Sequence, residues 1–114
     1  VSQLTAYILG LIGGSNALVT QYSSPNATGF TVNAESVPNL WLLITPLAGF
    51  AAGAIVLPSL PVNQQQITVS CTQAVTALTV SGNGKTVNGA PTTLAANGTF
   101  TLRYDGVKQS WYRI

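Results

Sequence analysis

The chain has 114 residues, of which 46% are hydrophobic and only 5% are charged: Glu35, Lys85, Arg103, Asp105, Lys108 and Arg113. Soluble domains are about a quarter charged, so this surface relies on Thr, Ser, Asn and Gln and has little charge to keep copies apart. The balance excludes a disordered chain and, because the four cations are scattered, a nucleic-acid binder that neutralises several phosphates; it points to a surface covered by copies of the chain or by a larger assembly.

The most apolar stretch comes first, Leu4-Thr5-Ala6-Tyr7-Ile8-Leu9-Gly10-Leu11-Ile12-Gly13-Gly14. It falls short of the about 20 apolar residues that cross a bilayer and lacks the cationic start of a secretory leader. Residues 1–15 read as a docking arm or short helix, with Gly13-Gly14 as a hinge into a β domain over residues 16–114. Leu4, Tyr7, Ile8, Leu9, Leu11 and Ile12 are its contact residues, against the same chain or a neighbour. No membrane partner is expected.

From there on, short runs of Val, Ile, Leu, Thr, Phe and Tyr are punctuated by Gly, Pro and Asn, the pattern of strands. Strands are predicted over residues 17–22, 29–33, 40–45, 54–57, 66–72, 76–81, 85–88, 99–104 and 110–113. Leu40-Trp41-Leu42-Leu43-Ile44 is apolar on both faces, as in a central strand or one covered by a partner. Ile67, Val69 and Cys71 share one face, so the lone cysteine reads as a small buried apolar residue. In Thr99-Phe100-Thr101-Leu102-Arg103-Tyr104 the alternation puts Phe100, Leu102 and Tyr104 on one side. Asn83-Gly84 carries the signal of a tight hairpin between 79–80 and 86–87, with weaker versions at Asn97-Gly98 and Asp105-Gly106. Pro46, Pro58, Pro61 and Pro91 close strands or open loops. No internal repeat stands out. Closely spaced strands without helical periodicity predict an all-β fold, a single-domain β-sandwich of jelly-roll type or a small barrel.

Chemistry is sparse. There is no His, and the side-chain carboxylates are Glu35 and Asp105, so neither a nucleophile–base pair nor a metal-ligand cluster can be assembled from the sequence. No enzymatic activity, cofactor or metal is expected. Gly82-Asn83-Gly84-Lys85-Thr86 ends like a phosphate-binding loop, but Thr79 stands where the pattern needs its first glycine. Asn26-Ala27-Thr28 and Asn97-Gly98-Thr99 match the glycosylation pattern and read as turn residues. Trp41 is assigned to the core or to a subunit interface. Trp111 and Tyr112 are adjacent in a strand, so one of them faces away from the core and is available to an interface.

The domain resembles small β-rich structural modules of tailed-bacteriophage virion proteins. The likeness runs through Gly29-Phe30-Thr31-Val32, Leu40-Trp41-Leu42-Leu43-Ile44-Thr45-Pro46, Ala52-Gly53-Ala54-Ile55-Val56-Leu57-Pro58, residues 67–80, residues 87–94 and the ending Phe100-Thr101-Leu102-Arg103-Tyr104-Asp105 with Ser110-Trp111-Tyr112-Arg113. Such modules carry an Asp-Gly-Gln turn after the Leu-Pro strand; here Asn63-Gln64-Gln65-Gln66 takes its place, which implies a different build for that turn. The resemblance implies a homotrimer and a packing role. It is compatible with a capsid decoration, or cement, protein that bridges major capsid protein subunits on the capsid exterior. The alternative is a tail-fibre or head-fibre module that contacts the host surface. A free carbohydrate-binding domain is a third reading. The short chain and the apolar arm favour the cement protein.

Overall fold

The computed structural model describes residues 18–114, and the chain in it alternates between two sheets. Strand β1 (Val19–Ser23) lies in the first sheet and β2 (Phe30–Asn33) in the second. Strand β3 (Asn39–Ile44) returns beside β1, β4 (Phe50–Val56) beside β2, β5 (Gln66–Cys71) beside β3 and β6 (Val75–Ser81) beside β4. Each of these neighbours runs parallel to the one before it. The fold is therefore a β-solenoid: three rungs, each with one strand per sheet. Parallel neighbours need a crossover, and here the strand in the opposite sheet supplies it.

After the third rung the remaining strands all join the first sheet. Strand β8 (Gly98–Asp105) pairs antiparallel with β5, β9 (Ser110–Arg113) pairs antiparallel with β8, and β7 (Thr86–Asn88) pairs parallel with β9. The first sheet thus has six strands in the order β1-β3-β5-β8-β9-β7, and the second has three, β2-β4-β6.

The core lies between the sheets and is built from columns of residues in register. Leu40, Leu42 and Ile44 of β3 sit beside Ile67, Val69 and Cys71 of β5, and Ile67 and Val69 beside Leu102 and Phe100 of β8. All of these are buried. From the second sheet Val32, Ile55 and Leu78 point into the same space. The ring of Phe30 occupies the position where a side chain at Gly53 would be, so the backbone of β4 approaches that ring closely.

The corners are stacked as well as the strands. Thr45 N–H donates to Ser23 O, Leu47 N–H to Pro25 O and Thr72 N–H to Ile44 O on one side, and Ala34 N–H to Val56 O and Leu57 N–H to Ser81 O on the other. The third rung is covered on both sheets. Strand β8 lies along β5, while residues 92–94 lie along β6, where Val75 and Leu94 exchange backbone bonds and Leu78 N–H donates to Thr92 O.

The all-β expectation holds for the described residues, and each predicted strand has its counterpart. The sandwich and barrel expectations do not hold, because the sheets are joined by coiling rather than by hairpins and Greek keys. The repeat that the sequence did not display is present as rungs. At Asn83-Gly84 both residues have positive φ, 53° and 100°, as a two-residue turn requires. The flanking strands nevertheless diverge: β6 belongs to the second sheet and β7 to the first. The turn moves the chain between sheets instead of closing a hairpin. A true hairpin does join β8 to β9, but it closes through the four residues 106–109 and takes its positive φ, 52°, at Gln109 and not at Asp105-Gly106. Near the other end of the chain, residues 1–15, the expected arm, lie outside the described residues, apolar contact residues included.

Candidate functional site

The outer face of the six-stranded sheet gathers the side chains with most capacity for contact. Alternation decides which they are: with Leu40, Leu42 and Ile44 inward, Trp41 and Leu43 face out. Register then places Thr20, Trp41, Thr68 and Thr101 in one row across β1, β3, β5 and β8, and Tyr22, Leu43, Ser70 and Thr99 in the next. Arg103 and Gln66 share a third row, with Tyr112 opposite Arg103.

Hydrogen bonds link neighbouring side chains across the face. Trp41 Nε1–H donates to Ser70 Oγ at 3.0 Å, and Ser70 Oγ lies 3.2 Å from Thr99 Oγ1. Thr68 Oγ1 and Thr101 Oγ1 are 3.1 Å apart, and Arg103 Nη2–H donates to Gln66 Oε1 at 2.9 Å. Thr99 Oγ1–H also donates to Val69 O at 2.9 Å, and the threonine methyl groups, the indole of Trp41 and the ring of Tyr22 are left to meet whatever lies above. Tyr22 is 75% exposed.

Such a face is suited to binding by shape. Ser70 has an indole N–H and a hydroxyl as its side-chain partners, neither of which can take its proton as a general base. Among the described residues no group of His, Cys, Asp and Glu could hold a metal ion. Burial pushes the Cys71 thiol up from its ordinary range, against a smaller lowering by the Gln73 backbone, and its S–H donates to Gln73 O. A buried thiol of this kind is a packing residue. No helix of the described residues is long and apolar enough to cross a membrane.

The interface candidates separate clearly. Trp41 lies on the outer face, half-buried. Trp111 is fully buried with its ring against Tyr104, centroids 5.3 Å apart, and offers nothing to a partner; its neighbour Tyr112 is the one that faces out. Leu4, Tyr7, Ile8, Leu9, Leu11 and Ile12 lie outside the described residues. Tyr22 and the Thr/Ser rows were not singled out from the sequence. The abundance of Thr at alternate positions was their signal, but it gave no indication that four strands align those residues.

The turn of Asn63-Gln64-Gln65-Gln66 follows the Leu-Pro strand. Gln65 N–H donates to Val62 O, and Gln64 takes the left-handed conformation at φ 69°. Asn63 accepts from Gly106 N–H at 2.8 Å, and buried Gln65 accepts from Val62 N–H. The turn is built on glutamine in a conformation that favours glycine.

No protein-family model matches this chain, and no curated protein matches it in sequence.

Proposed function

We propose that the chain is a structural module of a bacteriophage virion that works by surface contact alone, as a homotrimer, without cofactor or catalytic step. The observation that carries this reading is the internally hydrogen-bonded outer face with Trp41 and Tyr22, on a chain with too few charges to present a large hydrated exterior. Apolar and hydroxyl-bearing side chains fixed in rows lose little conformational entropy when a second surface covers them.

Of the two positions on the particle, a fibre-type module is the better fit. A solenoid stacks its rungs along one axis, and among the described residues one end is covered by β8 and residues 92–94 while β1 and β2 are the outermost strands at the other. That asymmetry suits a terminal cap on an elongated component. The cement role is favoured by a different observation, the exposed apolar side chains Leu47, Leu60 and Val107 away from that face, which could seat on a shell.

Quantitative mass spectrometry of purified virions tests the proposal. A copy number far below that of the major capsid protein is expected for the fibre position. A number comparable to that of the capsid subunit would assign the cement role, and absence from the particle would overturn both.

A further inference from the structure

The sequence holds three Asn-Gly pairs, Asn83-Gly84, Asn88-Gly89 and Asn97-Gly98, and all three asparagines are exposed. An asparagine followed by glycine has a reaction open to it: the backbone nitrogen of the glycine attacks Cγ of the side-chain amide, and the glycine has no Cβ to stand in the way. The attack needs a side-chain amide that can swing toward that nitrogen and a backbone N–H that is not engaged elsewhere. The fold meets these needs unequally at the three pairs.

At Asn88 the side chain is held. Its Nδ2–H donates to Trp111 O of β9 at 3.2 Å, and a Cβ on Gly89 would lie 3.2 Å from Arg113 Cβ. At Asn97 the attacking nitrogen is held. Gly98 N–H donates to Ala95 O at 2.9 Å, and Gly98 opens β8, which lies between β5 and β9. At Asn83 neither group is held. Among the described residues no partner engages its side-chain amide or Gly84 N–H. Chain neighbours apart, no atom lies within 4 Å of the place where a Cβ on Gly84 would be. Other atoms fix this turn: Asn83 N–H donates to Ser81 Oγ at 3.2 Å and Lys85 N–H to Gly82 O at 3.1 Å.

We infer that Asn83 is a site of spontaneous deamidation in the folded chain, and that the fold shields Asn88 and Asn97 from the same reaction. Gly84 N bonds to Asn83 Cγ, the bond from Cγ to Nδ2 breaks, and the Gly84 amide proton leaves with the Nδ2 amine as ammonia, which gives a succinimide. Water then adds to either ring carbonyl and opens the ring, to aspartate when it attacks Cγ and to isoaspartate when it attacks the backbone carbonyl. Nothing is oxidised or reduced, and water is the sole co-reactant. Either product places a carboxylate two residues before Lys85 and lowers the formal net charge from +2 by one unit. Isoaspartate also routes the main chain through the former side chain, which lengthens the turn that carries the chain from β6 in the second sheet to β7 in the first. The inference is independent of the proposed function.

Incubation of the full chain at mildly alkaline pH, with proteolysis and tandem mass spectrometry at intervals, tests it, and the chain unfolded in urea is the reference. The rate at Asn83 relative to the rates at Asn88 and Asn97 should be about tenfold higher in the folded chain than in the unfolded one, the rate equivalent of one hydrogen bond that must open first. Isoaspartate should appear together with aspartate at position 83. Relative rates that do not change on folding overturn the inference, as does a folded chain in which position 88 or 97 reacts faster than 83 or in which 83 does not react. Aspartate without isoaspartate at 83 also overturns it, because direct hydrolysis of the side-chain amide gives that product.

Discussion

Two single residues carry much of the local geometry. Gly53 leaves room for the Phe30 ring, which in turn packs 6.1 Å from Phe50, and a methyl group at Gly53 would overlap it. Gly53→Ala should therefore lower unfolding stability by about 1–3 kcal/mol in chemical denaturation. At Gly49 the nearest atom to an added methyl is a backbone oxygen at 3.4 Å, so Gly49→Ala should be close to neutral and serves as the control. Gln64 is the opposite case, since its φ of 69° is costly for a residue with a side chain. Gln64→Gly should raise stability by about 0.5–1 kcal/mol, the relief of the left-handed conformation less the added freedom of the unfolded chain. At this scale the sequence was partly readable. The burial of Cys71 followed from its parity with Ile67 and Val69. Which of Trp111 and Tyr112 turned inward did not follow, because alternation assigns opposite faces without saying which face the second sheet covers.

The strands themselves were legible, since Gly, Pro and Asn mark their ends and β-branched residues fill them. Their partners were not. A two-residue turn with positive φ is a local event, and at Asn83-Gly84 it formed as its chemistry requires. Whether the next strand folds back onto the previous one depends on free edges elsewhere, and here β9 provided the edge that β7 joined. Parallel stacking also leaves a faint trace in sequence. The rung columns need only be apolar, so Leu40–Ile67 and Leu42–Val69 repeat in character but not in residue identity, and crossings of unequal length blur the period. The stacking is still what holds the elements. Leu42 is 0% exposed between rungs, and Leu42→Ala should cost about 2–5 kcal/mol while the far-ultraviolet spectrum of the refolded protein stays that of a β protein.

At the scale of the molecule, the described residues measure 46 × 32 × 19 Å, and the six-stranded sheet provides a broad outer face. The low charge of the sequence suggested that something covers the exterior, and the fold adds a specific surface for it. Trp41 and Tyr112 were interface candidates in the sequence and both lie on this face, whereas the Thr/Ser rows that flank them exist only once β1, β3, β5 and β8 are aligned. The central claim is that this face is a subunit contact. Sedimentation equilibrium of the full chain, compared with Tyr22→Arg and Thr68→Arg, tests it most directly, since both positions point outward and neither contributes to the core. The account predicts trimers for the parent chain and folded monomers for the two variants. A parent chain that stays monomeric at every concentration, or variants that assemble as well as it does, would contradict it.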